Sequence, residues 1–97
     1  MPDTLTASAA VVTDGPERYA KQLASHLGRR AEVRDETDGT RLVLGAGSCL
    51  LVVGDGVLEL RAEAPSDDDL TRVTDVVGSH LQRFGQRNEL AVTWLRP

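Results

Sequence analysis

Apolar and polar positions alternate along some stretches of this chain and recur at helical spacing along others, and the switches between the two divide it into elements. Leu5 to Thr13 is small and β-branched (Thr6, Ser8, Val11, Val12) and predicts an opening strand. From Asp14 onward the period changes. Tyr19, Leu23, His26 and Leu27 share one face of a helix. Asp14 as a cap, Pro16 in the first turn and Glu17 closing a capping box predict its start, and Arg29 and Arg30 suit its negative end. Strand-like segments return over Ala31–Glu36, Arg41–Leu44, Ser48–Val53 and Val57–Ala64, with turn signals at Thr37-Asp38-Gly39, Gly45-Ala46-Gly47 and Gly54-Asp55-Gly56. This is an antiparallel meander of four strands. Glu59, Arg61 and Glu63 turn one face of the last strand to water. Cys49–Val53 does not alternate, which predicts a central strand covered on both sides. Pro65 then breaks the sheet. Ser66 caps a second helix, Asp67, Asp68 and Asp69 fill its positive first turn, and Gly85 stops it. Its apolar stripe is Leu70, Val73, Val77, Leu81 and Phe84, flanked by Val76 and His80. Leu90–Leu95, carrying Trp94, predicts a last strand.

The order β-α-β-β-β-β-α-β makes residues 1–97 one small α+β domain: a two-layer sandwich with a mainly antiparallel sheet and two helices on one face. Folded about Gly45–Gly47, the chain falls into two halves related by a pseudo-twofold. The free sheet face is then open or joins a second copy, so a homodimer through that face is the expected self-association. Helices related by such an axis run antiparallel. Side by side over their full length, they would hold the imidazoles of His26 and His80 roughly 20 Å apart.

Composition narrows the function classes. A net charge of −4 argues against nucleic acid, whose phosphates require a basic surface, and three aromatic residues provide no stacking platform for single strands. The lone Cys49 has no intrachain disulfide partner, which fits a reducing compartment. No run is long and apolar enough to span a membrane, and Met1–Leu5 lacks a basic leader region, so a cytoplasmic location is expected.

The chemistry-bearing residues cluster at the helix ends. Ser79-His80-Leu81-Gln82-Arg83 is echoed by Ser25-His26-Leu27-Gly28-Arg29. His80 and Arg83 are helix neighbours that can receive a carboxylate or phosphate, with His26 and Arg87 as further candidates. A solvated helix end pairing with Glu89 explains the arginines equally well, and a half-buried side chain at the edge of the core explains His80. His26, His80 and Cys49 are the residue types of a metal site, but no ligand spacing supports one. Cys49 among Leu and Val fits a small hydrophobe better than a nucleophile. The glycine turns match no phosphate loop and no hydrolase motif is present, so no cofactor is expected and the chain leans away from being an enzyme.

Arg18-Tyr19-Ala20-Lys21-Gln22-Leu23-Ala24-Ser25-His26, the His80-Leu81-Gln82-Arg83-Phe84 block followed by Leu90-Ala91-Val92-Thr93-Trp94, and Gly47-Ser48-Cys49 together resemble DUF2218, a bacterial family of unknown function, over nearly the whole chain. Relatives carry a Cys at Ala24 and a His-Lys at Arg29-Arg30; these departures remove ligands that a metal site would use. The resemblance implies a compact α+β fold similar to the phosphohexomutase C-terminal domain. It implies no activity, only an accessory role in iron handling beside siderophore-interacting flavin reductases. The readings carried forward are a non-enzymatic binding or accessory domain, a metal- or small-ligand-binding protein built on His80 and Arg83 with His26 or Cys49, and a small enzyme.

Overall fold

The computed structural model describes residues 4–86 and 90–96, and within them a single five-stranded antiparallel sheet carries both helices on one face. In chain order the elements are β1 (Leu5–Val12), α1 (Pro16–Leu27), β2 (Glu32–Glu36), β3 (Gly39–Leu44), β4 (Gly47–Val53), β5 (Val57–Ala64) and α2 (Asp67–Phe84). The sheet order is β1-β5-β4-β3-β2. The meander β2 to β5 is therefore laid down by consecutive hairpins, and β1 docks on its far side against β5. Gly45 and Gly56 sit in the hairpin turns with φ of 65° and 71°, a region that costs glycine little and other residues more. Because β1 and β2 lie at opposite edges, α1 has to cross the sheet to join them.

Period-two alternation places Ala7, Ala9 and Val11, Leu42, Cys49 and Leu51, and Leu58, Leu60, Ala62 and Ala64 under the helices, where all are buried. Tyr19, Leu23 and Leu27 of α1 and Leu70, Val73, Val77 and Leu81 of α2 close the core from above. α2 begins as expected: the Ser66 hydroxyl accepts from the Asp69 amide at 3.2 Å, and Asp67 to Asp69 fill the first turn. α1 begins differently. Its N-cap is Gly15, with no side-chain cap from Asp14 and no capping box through Glu17. Instead the Thr13 hydroxyl accepts from the Gly15 amide at 3.1 Å, and Pro16 at the first helical position removes one amide that would otherwise need a partner.

Two further expectations are revised. The closing strand over Leu90–Leu95 shrinks to one bridge, in which Ser8 and Leu95 exchange backbone hydrogen bonds of 2.9 and 2.7 Å on the outer edge of β1. Trp94 leans onto α2 at Gly78, where a Cβ would lie 3.1 Å from its Nε1. Nor is β4 covered by a second layer. Leu50 is only 6% exposed although it points away from the helices. It lies in register between Arg41 and Arg61, which line an outer-face hollow with it, and the side chains around it are polar or charged.

Candidate functional site

The C-terminal turn of α1 is built to hold arginines. Gly28 closes the helix with its amide bonded to the Ala24 carbonyl at 2.9 Å. The Leu27 carbonyl then accepts from both Arg30 (3.1 Å) and Ala31 (2.9 Å), which wraps residues 28–31 around the helix end. Arg29 and Arg30 project from this turn into solvent. On α2, Arg72, Val76 and His80 follow one another at four-residue intervals along one flank of the apolar stripe. The two helices meet here. His26, Leu27, Arg29, Arg30 and Ala31 on one side and Arg72, Val76 and His80 on the other line a cleft of about 520 Å³, closed by Leu44 and Gly45 at the β3–β4 turn.

The imidazoles of His26 and His80 stand 5.0 Å apart, centroid to centroid, with planes inclined at 48°. This overturns the separation expected from the sequence. The helices do run antiparallel, since α1 follows β1, α2 follows β5, and these two strands are antiparallel neighbours. They overlap through their C-terminal portions, however, and not along their full length. Both histidines therefore fall in the overlap. Phe84, half-buried, presents edge-on contacts to both rings, at 5.4 Å to His26 and 6.3 Å to His80. His80 Nδ1 lies 2.6 Å from the Val76 carbonyl. A carbonyl can only accept, so Nδ1 carries the proton, and in the neutral ring Nε2 keeps its lone pair.

The remaining candidates are placed as follows. Arg83 is exposed and lies outside the lining of the cleft. Arg87 and Glu89 fall outside the described residues. Cys49 is fully buried in the sheet, and burial pushes its thiol up to about 12, so it remains an uncharged thiol that offers neither a nucleophile nor a ready metal ligand. Among the described residues no three of His, Cys, Asp and Glu come together as a metal cluster. Arg29 and Arg30 had a purely local explanation in the sequence, as helix-end charges, and Arg72 was missed. The signal that could have found Arg72 is the stripe Arg72-Val76-His80.

The opposite face of the sheet holds the other concentration of charge. Arg41 donates to Glu36 at 2.7 Å, to Ser48 at 2.9 Å and to Glu63 at 3.0 Å. Arg34 pairs with Glu32 and Arg61 with Glu59. Hydrogen bonding to Arg41 holds the Glu36 carboxyl below its ordinary range, and the bond to Arg34 does the same for Glu32. The hollows on this face are lined by groups that already neutralise one another. The helix-side cleft differs: its three arginines form no ion pair among the described residues, and its lining contains no carboxylate. Asp68 and Asp75 flank Arg72 only in the neighbouring shallow hollow.

The family model for uncharacterised proteins conserved in bacteria, DUF2218, matches residues 8–95. The chain belongs to this family. A solution structure of PA4090 from Pseudomonas aeruginosa is similar at 25% identity, covering 94% of this chain and 95% of that one with a TM-score of 0.77. A de novo designed protein with a ferredoxin fold, LFR1 1, is similar at 14% identity over 96% of this chain and 83% of its own, with a TM-score of 0.60, which supports the α+β architecture alone. No curated protein matches.

Proposed function

We propose that this DUF2218 domain is a binding protein for a small organic anion, held in the cleft between the C-terminal ends of α1 and α2. The carrying observation is that Arg29, Arg30 and Arg72, without ion-pair partners among the described residues, line one cleft with the apolar Leu27, Leu44 and Val76 in a chain of net charge −4. Guanidinium groups take carboxylate or phosphate by paired, charge-assisted hydrogen bonds, and an apolar floor suits an alkyl or aromatic body. At about 520 Å³ the cleft falls in the size range of small-molecule sites, roughly 300–1,000 Å³. His80, with Nδ1 committed to Val76, keeps one lone pair, at Nε2. Three arginines beside an apolar surface favour recognition of an anion as the role of this cleft. A cytoplasmic setting is part of the proposal, consistent with a buried thiol and with the absence, among the described residues, of a helix long and apolar enough to cross a membrane. The accessory role in iron handling, beside a siderophore-interacting protein, enters as one ligand class, the anionic iron chelates.

Calorimetric titration of the whole domain with benzoate, salicylate, phenyl phosphate and a ferric catecholate tests the proposal. Saturable binding is expected for at least one. Arg72→Gln and Arg30→Gln should each weaken it about tenfold, the worth of one charge-assisted contact. No saturable binding across the panel, or binding that neither variant disturbs, overturns the assignment.

A further inference from the structure

We propose that His26 and His80 form a two-histidine site for a divalent transition ion, with Cu(II) the tightest-binding, whose open coordination positions face the anion held by the arginines. The inference rests on the anion-binding reading for its co-ligand and on separate geometry for the metal. With an ion about 2.0 Å from each ligating nitrogen, each ring centroid stands about 3.2 Å from it, so the cis square-planar angle that Cu(II) prefers sets two centroids about 4.5 Å apart and a tetrahedral angle about 5.2 Å apart, and a separation between these suits a distorted site. The observed separation is 5.0 Å, in rings tilted and not stacked parallel. His80 has the outer-shell bond of a metal ligand: Nδ1 donates to the Val76 carbonyl at 2.6 Å, which fixes the ring and leaves Nε2 as the coordinating atom. The edge of Phe84 against both rings limits their rotation. Imidazole suits Cu(II), Ni(II) and Zn(II), and Cu(II) stands highest among them for a given nitrogen site.

Cys49 takes no part. It lies in the core, fully buried and held as a neutral thiol. Charge decides the character of the site. Arg29, Arg30 and Arg72 repel a bare cation, and no carboxylate in the cleft offsets them. A divalent ion is therefore held weakly alone and more tightly once an anion occupies the arginines. By linkage, the ion then raises anion affinity by the same factor. Two histidines leave coordination positions that a carboxylate or phenolate oxygen can fill, so the ligand class that serves both halves is a chelating organic acid such as salicylate.

The test titrates tag-free full-length protein with Cu(II) alone and then with Cu(II) in the presence of salicylate, reading stoichiometry by calorimetry and ligand type by electron paramagnetic resonance. One equivalent with nitrogen hyperfine structure is expected, weakened at least about tenfold in His26→Gln and in His80→Gln, with salicylate tightening the binding. His26 is exposed, so His26→Gln keeps the fold, and far-ultraviolet dichroism checks His80→Gln. Absence of saturable uptake, or both single variants binding as the parent does, overturns the metal site. Benzoate titrated in excess EDTA isolates the other half. If benzoate binds there while Cu(II) does not bind at all, the metal site fails and the anion reading stands. If Cu(II) binds but benzoate without metal does not, the metal site stands and the arginine reading fails.

Discussion

At the scale of single residues, burial separates chemistry from packing. Cys49 is the clearest case, with its thiol driven to about 12 by desolvation and an unfolded value near 9. Native protein should resist an aromatic disulfide reagent that modifies the unfolded chain at once. The raised pKa favours the neutral thiol in the fold, so its stabilising contribution is complete below about pH 9 and is lost as pH rises toward about 12. Urea titrations across that window should show the stability of Cys49→Ala falling less steeply than that of the parent. Phe84 shows a milder separation. It is half-buried against the core and touches both imidazoles, so Phe84→Ala should cost about 2 kcal/mol, below the 3–5 kcal/mol of a fully buried phenylalanine. The same variant should loosen the histidine pair. Chemical denaturation measures the first effect, and the Cu(II) titration the second.

At the scale of elements, most of the fold was legible because each element carries a local signature. Ser66 with Asp67–Asp69, Gly85, the clean alternation of Val57–Ala64 and the glycine turns each state their structure within a few residues, and α2, β5 and the hairpins formed as those signatures predict. What failed depended on distance along the chain. The stagger of α1 on α2 is set by core side chains such as Leu23, Leu27, Val77 and Leu81, and no local pattern encodes it. The histidine pair and the arginine cleft both follow from that stagger, so the site stayed hidden although its residues were visible. The closing segment failed for a similar reason: Leu90–Leu95 has strand composition, but Trp94 packs on Gly78 across the helix and leaves one bridge. Trp94 is the single tryptophan, so its emission reports on this contact. Gly78→Leu should displace it, shift emission to longer wavelength and free the segment from β1, while the helical dichroism of α2 persists. Unchanged emission would show that the segment is anchored instead by the Ser8–Leu95 bridge and the Arg96–Asp67 ion pair.

At the scale of the whole molecule, the two faces of the sandwich are chemically unlike, and this redirects the expectation of a homodimer. The expected cause was an apolar outer face on β4, yet the side chains around Leu50 are charged. In register across the sheet, Arg61, Leu50, Arg41 and Arg34 form one row, with Glu63 and Glu32 in the row on one side and Glu59 and Glu36 on the other. Two copies facing each other and offset by one row bring arginines over glutamates, so we propose self-association by charge complementarity and not by apolar burial. Its strength is limited because each arginine already has an intrachain partner, and exposed ion pairs contribute about 0–1 kcal/mol each. Association should therefore be weak, fade as salt is raised, and be abolished by Arg61→Glu, which places like charges opposite one another in both copies. The carboxyls of Glu36 and Glu32 are held below their ordinary range, so the face keeps its pairing above the usual carboxylate pKa and loses it as pH falls through the depressed values. Self-association should fall away over the same acidic range. Sedimentation equilibrium at high micromolar concentration, in low and high salt and across that pH range, decides the matter. A clean monomer in low salt at neutral pH removes the dimer, and a dimer indifferent to salt assigns it to another surface.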